Sequence, residues 1–217
     1  MLTPDDATLL ATGLRMTLWL TATSMALALV FGTLLGILRV SPAWPLRAFA
    51  QGYVEFFRNI PLLVVLFFVF NGLPYAGVHL DPRGADFSRS AIAGLAVYTA
   101  GYVAEVVRAG LQAVGPGQVE AARALGLGYL TILRDVLLPQ AVRMIMPPMG
   151  NVLIALAKNT SIASAIAVPE LMYQAQLAES RSFSGNVFLV AGLVYLVLTV
   201  PLALAVNALE RRLVLRH

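Results

Sequence analysis

Lys158 is the only lysine of the chain, and it interrupts an otherwise apolar run. A charge held in hydrocarbon costs at least about 2.5–3.5 kcal/mol on insertion scales. Such a group must face a polar cavity, meet a partner or snorkel to the interface. The sequence "KNTS", Lys158 to Ser161, adds three polar side chains in succession. A regular helix facing lipid would not carry polar groups on all sides, whereas a pathway lining or a helix break beside a cavity would. Lys158 is therefore a candidate pathway or gate residue, with snorkelling as the plain alternative.

Two further segments share a pattern, "YVEFFR" (Tyr53 to Arg58) and "YVAEVVR" (Tyr102 to Arg108). In each, Glu precedes Arg by three residues, so both lie on one helical face. A local ion pair at a membrane interface and a network between helices explain them equally well. Neither carboxylate has an evident nucleophile or base nearby, so no catalysis is assigned. Cysteine is absent and the two histidines, His79 and His217, are far apart in sequence. Disulfides and thiolate sites are excluded, and a histidine-based metal site or dyad is not expected within one chain.

The elements that hold these residues follow from composition. The chain has 217 residues, 59% hydrophobic and 12% charged, with mean hydropathy +0.80. Soluble domains carry about 25% charged residues. Half that density cannot coat a water-facing surface, and the chain is too short for a compensating core. A membrane helix needs about 20 apolar residues. That length predicts five spans in one domain covering residues 1–217, at about 12–38, 53–75, 88–111, 140–168 and 184–209. "GTLLG" (Gly32 to Gly36) in the first permits close helix packing. Prolines in "NIPLL" (Asn59 to Leu63) and "PPMGN" (Pro147 to Asn151) mark candidate bends. "PELMYQAQLAESRSF", Pro169 to Phe183, is expected to be a loop with a short amphipathic helix.

With the N-terminus outside, ten of the 15 Arg and Lys residues fall on the inner side, Arg216 among them, and Arg83 on the outer; the reverse would break the positive-inside rule. The scattered basic residues follow topology and are no nucleic-acid signature. The opening "MLTPDDATLL" is acidic where a secretory signal is basic, and no cleaved segment is expected. Between the third and fourth spans lies the insert "GPGQVEAARALGLGYLTILRDVLLPQAVR". Its alanines favour a helix over about 117–126, with Glu120 near the positive end. Gly126 sits where a left-handed residue stops a helix, and Gly128 allows the chain to reverse. A second helix follows through "YLTILRDVLLPQA", interrupted by Pro139. The short helix lies outside the membrane at the cytoplasmic ends of the spans. Docking in a partner's groove and lying on lipid remain equally open on these grounds.

Glu120, Ala121 and Ala122, then Gly126, then Leu138 and Pro139, resemble the EAA loop of ABC-importer permeases; Val136 stands where that pattern has Ile. "YVEFFRNIPLLVVLFF", "GYVAEVVRAGLQAVGPGQVEAARALGL", "LPQAVRMIMPPMGN" and "KNTSIASAIAVPEL" are similar to the polar amino-acid uptake subfamily. The resemblance implies an all-α integral membrane protein with the type I importer permease fold, in a bacterial inner membrane. It implies a second permease copy or similar chain, an extracytoplasmic amino-acid-binding protein and a cytoplasmic ATPase subunit that binds ATP and Mg. Glu120, Ala121, Ala122, Gly126, Leu138 and Pro139 would belong to the ATPase-coupling segment, with Ala121 and Ala122 allowing close approach. Lys158, Asn159 and Thr160, and more weakly Asn71, Tyr98 and Glu105, would line the pathway or gate. A P-loop needs Lys after its last glycine, but Lys158 follows Ala157. The chain is therefore expected to be no enzyme and to bind no cofactor itself. A secondary transporter or channel subunit without ATPase explains the intramembrane charges but not the EAA spacing. A membrane-embedded enzyme would need an acid/base or metal set that these residues do not supply.

Overall fold

The computed structural model describes residues 4–81, 87–128, 131–182 and 186–214. Arg83, Tyr129, Leu130, Arg216, His217 and the expected start of the last span at 184 lie outside them. The regular structure of the described residues is helical. Helix α1, Pro4–Arg39, has Asp5 and Asp6 in its first turn and Arg39 in its last. Those charges oppose the helix dipole at both ends. Among its buried polar residues, Thr21 donates to the Thr17 carbonyl at 2.8 Å.

Helix α1 lies against α4, Ser88–Ala113. The seam runs through Gly32 and Gly36. A Cβ on Gly32 would stand 2.5 Å from Val103 Cβ, and one on Gly36 2.7 Å from Val107 Cβ. Glycine at both places is thus a steric requirement, and the spacing of "GTLLG" is a packing device.

Helix α2, Trp44–Asn59, is followed by α3, Leu62–Tyr75, at 106° to it. The break falls at Ile60 and Pro61. A residue before proline is pushed out of the helical region, and Ile60 has φ −96° and ψ 141°. The expected continuous span over 53–75 is therefore bent, with Tyr53 to Asn59 on a different axis from Leu62 onward. "PPMGN" behaves differently. Pro147 and Pro148 lie inside helix α6, Leu138–Asn159, which continues through them.

Between α4 and α6 comes the short helix α5, Pro116–Ala124. A wide turn over Ile132–Leu137 then leads into α6. In that turn the Leu138 N–H reaches back to the Leu133 carbonyl, and Pro139, which has no N–H to give, follows directly. At its other end α6 tightens into a 3-10 segment, Thr160–Ile166, stopped by Ala167 at φ 58°. Helix α7, Leu171–Ser182, packs Leu171, Ala175 and Ala178 against Leu10, Val187 and Ala191. The last helix, α8, is Asn186–Val214.

Among the described residues three helices, α1, α4 and α8, are long and apolar enough to cross a membrane, and up to five spans result if each bent pair counts as one. Leu20, Leu66, Leu95, Leu156 and Ile166 fill the interior. Large apolar side chains face outward, including Trp19, Phe31, Trp44, Phe49, Leu189 and Val197. That is the surface a lipid solvent demands.

Gly32→Val is expected to destabilise the solubilised protein by about 1–3 kcal/mol, the ordinary cost of overpacking. Thermal unfolding in detergent measures it, with Gly52→Val, where a Cβ meets nothing within 4 Å, as the control.

Candidate functional site

Glu105 gathers charge from three helices. Arg39, at the end of α1, donates to its Oε2. Arg108, one turn along α4, reaches it from Nε at 3.2 Å and from Nη2. Arg58, at the end of α2, stands 3.8 Å away, with its guanidinium 5.5 Å from the Tyr102 ring centroid. Of the two Glu-to-Arg patterns, only Glu105 and Arg108 form the local pair. Glu55 instead accepts from Gln51 at 2.7 Å, and Arg58 turns to Glu105. The two motifs are one network across helices. Arg39 had no partner near it in sequence, so nothing there could have assigned it to this cluster.

A cavity of ≈ 290 Å³ lies next to this network, its polar side chains being Tyr98, Thr99, Tyr102, Asn151 and Asn159 among apolar walls. The Tyr98 and Tyr102 hydroxyls are 3.0 Å apart. Two of the sequence candidates, Tyr98 and Asn159, meet here. Tyr102 and Asn151 were not among the candidates, although each lies on the same helical face as one that was, at spacings of four and eight residues.

The remaining candidates are placed elsewhere. Lys158 is exposed and takes part in no ion pair among the described residues. Thr160 is fully buried, and its hydroxyl donates to the Ala157 carbonyl at 2.8 Å. Asn71 is exposed, in a widened turn of α3. Glu170, missed in sequence, is fully buried. Its carboxylate accepts the N–H groups of Met172 and Tyr173 at 3.0 and 2.8 Å and the Tyr195 hydroxyl at 2.8 Å. Thr17 accepts from the neighbouring Leu171 N–H at 3.2 Å. Glu170 thus caps α7 and ties it to α8, while Thr17 of α1 takes the next amide. An acidic residue directly before a helix was the available signal.

Helix α5 opens with Pro116 in its first turn. It closes on Gly126, at φ 78°. There Gly126 N–H donates to the Arg123 carbonyl at 2.9 Å and Leu127 N–H to that of Ala122 at 3.1 Å, satisfying carbonyls the helix end would leave unpaired. Glu120 and Ala121 are exposed, and Leu125 is 80% exposed. Ala122 departs from expectation: it is only 5% exposed, so it faces the chain's own fold rather than outward beside Ala121. Leu138 and Pro139 open α6 and are exposed.

A bent-helix membrane fold, a cavity inside it with hydroxyls and amides on its wall, and a short helix with an open face beyond it fit a transport subunit. Residues 28–215 match the family described as binding-protein-dependent transport system inner membrane component, and the chain belongs to that family. It is 40% identical over 210 residues to a probable glutamine ABC transporter permease protein of Bacillus subtilis (strain 168), covering 96% of this chain and 95% of the other. It is 39% identical to a glutamate transport system permease protein of Corynebacterium glutamicum, covering 92% of each. A solved amino acid ABC transporter chain superposes with TM-score 0.87 at 34% identity, covering 95% of this chain and 94% of that one. A methionine ABC transporter chain in an inward-facing conformation shares the fold, with TM-score 0.79. The chain is a permease subunit of an ABC importer, and the reading as a secondary transporter or channel without ATPase falls.

Replacing Glu105 with Gln leaves three arginines short of a counter-charge. Glu105→Gln is expected to lower stability by about 1.5–3 kcal/mol, the value of hydrogen bonds to charged groups. Unfolding of the purified protein measures it.

Proposed function

We propose that this subunit imports an amino acid across a bacterial inner membrane, with ATP hydrolysed on a separate cytoplasmic chain. The names of its relatives support an amino acid as substrate. Two permease chains would enclose the pathway, homologous or identical, and an extracytoplasmic binding protein would deliver the substrate. ATP and Mg would be held by the ATPase, and this chain would hold neither. The N-terminus lies outside and α5 in the cytoplasm, by the positive-inside asymmetry of the sequence.

One observation carries the coupling role. Helix α5 buries Ala122 inward and presents Glu120, Ala121 and Leu125 outward. A short helix held on one side and open on the other, with an almost fully exposed Leu, fits a partner's groove. Its axis is fixed by Pro116 at one end and the left-handed Gly126 at the other. Closure of the ATPase pair on ATP moves the docked helix. Only Val114 and Gly115 separate α5 from α4, so the motion passes directly to the helix that carries Glu105, Tyr102 and Tyr98. Access to the cavity then alternates between the two sides. Lys158, Asn159 and Thr160, with Asn71, Tyr98 and Glu105, are the pathway or gate set, and the cavity groups Tyr98 and Asn159 stand foremost.

Gly126→Val tests this role. No atom lies within 4 Å of a Cβ there, so the strain is purely that of a left-handed backbone, about 1–2 kcal/mol. The variant is expected to insert normally but to hydrolyse ATP without matching uptake. Wild-type uptake in proteoliposomes would contradict the coupling role. Lys158→Met probes the pathway separately: changed uptake kinetics are expected, and wild-type kinetics would remove Lys158 from the set.

A further inference from the structure

A second cavity, of ≈ 540 Å³, continues along the same two helices toward α5. On α4 the lining passes from Tyr98 and Tyr102 to Glu105, Ala109 and Ala113. These positions follow helical spacing along one face. On α6 it passes from Asn159 and Val152 to Pro148 and Met144, again along one face. Both cavities thus lie along α4 and α6, one beyond the other on the same faces, and Glu105 lines the second.

The inner cavity differs from the outer in carrying charged side chains. Its walls are mostly apolar, and it carries Arg143 from α6 and Glu210 from α8. Neither takes part in an ion pair among the described residues. Glu105, the third charged group, is already held by three arginines. The cavity therefore offers one uncommitted cation and one uncommitted anion, on different helices, above an apolar floor. A free amino acid is the complementary ligand. Its carboxylate matches a guanidinium, its ammonium a carboxylate, and the side chain is left for the Pro148 and Met144 wall.

We infer that Arg143 and Glu210 form an inner subsite for an amino-acid zwitterion, on the side where α5 lies. This rests on the importer reading above. The site would be filled from the product side, so accumulated amino acid would hold the permease in the state that exposes it and slow further import. An apolar wall with opposed charges suits a zwitterion with its backbone charges intact. Simple cations and carboxylates lacking the second charge should bind poorly.

The test uses the permease assembled with its ATPase in proteoliposomes, with the ATPase outside and the binding protein and labelled amino acid within. Transport outward into the medium is followed while the same unlabelled amino acid is raised on the ATPase side. The wild-type rate should fall with a saturable half-inhibition concentration. Arg143→Gln and Glu210→Gln should each raise that concentration about tenfold, the loss of one charge-assisted hydrogen bond. The N-acetylated or decarboxylated amino acid should inhibit about tenfold less well for the same reason. Each variant is scored against its own uninhibited rate, so a slower variant remains informative. Absence of wild-type inhibition at millimolar amino acid would overturn the subsite, and so would unchanged half-inhibition in both variants. If the wild type moves no amino acid at all, the importer reading fails instead.

Discussion

The approach of α1 to α4 is the constraint on which the other features depend. In lipid no hydrophobic force drives helices together, so association relies on close van der Waals packing and polar links. Gly32 and Gly36 supply the first by letting Val103 and Val107 come into the space a Cβ would fill. The same approach carries Arg39, one turn past Gly36, to Glu105. A wider seam would leave Arg39 at the end of α1 without its counterpart. Packing by small residues and pairing of charges are therefore one arrangement.

Several polar groups elsewhere are likewise placed where something answers them. Glu170 is fully buried, yet two amides and a hydroxyl meet its oxygens. The Tyr53 hydroxyl donates to the Val97 carbonyl at 2.7 Å. Backbone irregularity fits the same pattern. The widened turns over Phe68–Gly72 and Ile132–Leu137 each lie within two residues of a proline, where an ordinary ladder would lack a donor. Against this background the cavity between Tyr98, Tyr102, Asn151 and Asn159 is informative. Its amides and hydroxyls gather at an opening, which is what the proposed pathway would require.

Much of this was legible in the sequence, and the limits have physical causes. The long spans came from length and apolarity alone, and the short helix with its Gly126 stop came from local chemistry. The bend at Pro61 was flagged, but its 106° angle could not be, because a missing N–H permits a bend without setting its size. Pro147 and Pro148 show the converse, since the helix runs on through them. Glu105 was read with its neighbour Arg108, whereas Arg39 and Arg58 join it from distant segments that only folding brings together. Ala121 and Ala122 looked equivalent as adjacent small residues. A step of about 100° per residue along a helix separates their faces, and the sequence did not say which face was inward.

The central claim is that the open face of α5 meets the ATPase. The natural chain has no cysteine, so single cysteines report without a background. Leu125→Cys and Ala122→Cys, each in the purified complex with its ATPase subunit, would be treated with a short thiol-to-amine cross-linker. The account predicts a permease–ATPase product from Leu125→Cys, with a yield that changes on ATP binding, and none from Ala122→Cys, which is buried. A product from Ala122→Cys alone, or none from Leu125→Cys in an active complex, would contradict it.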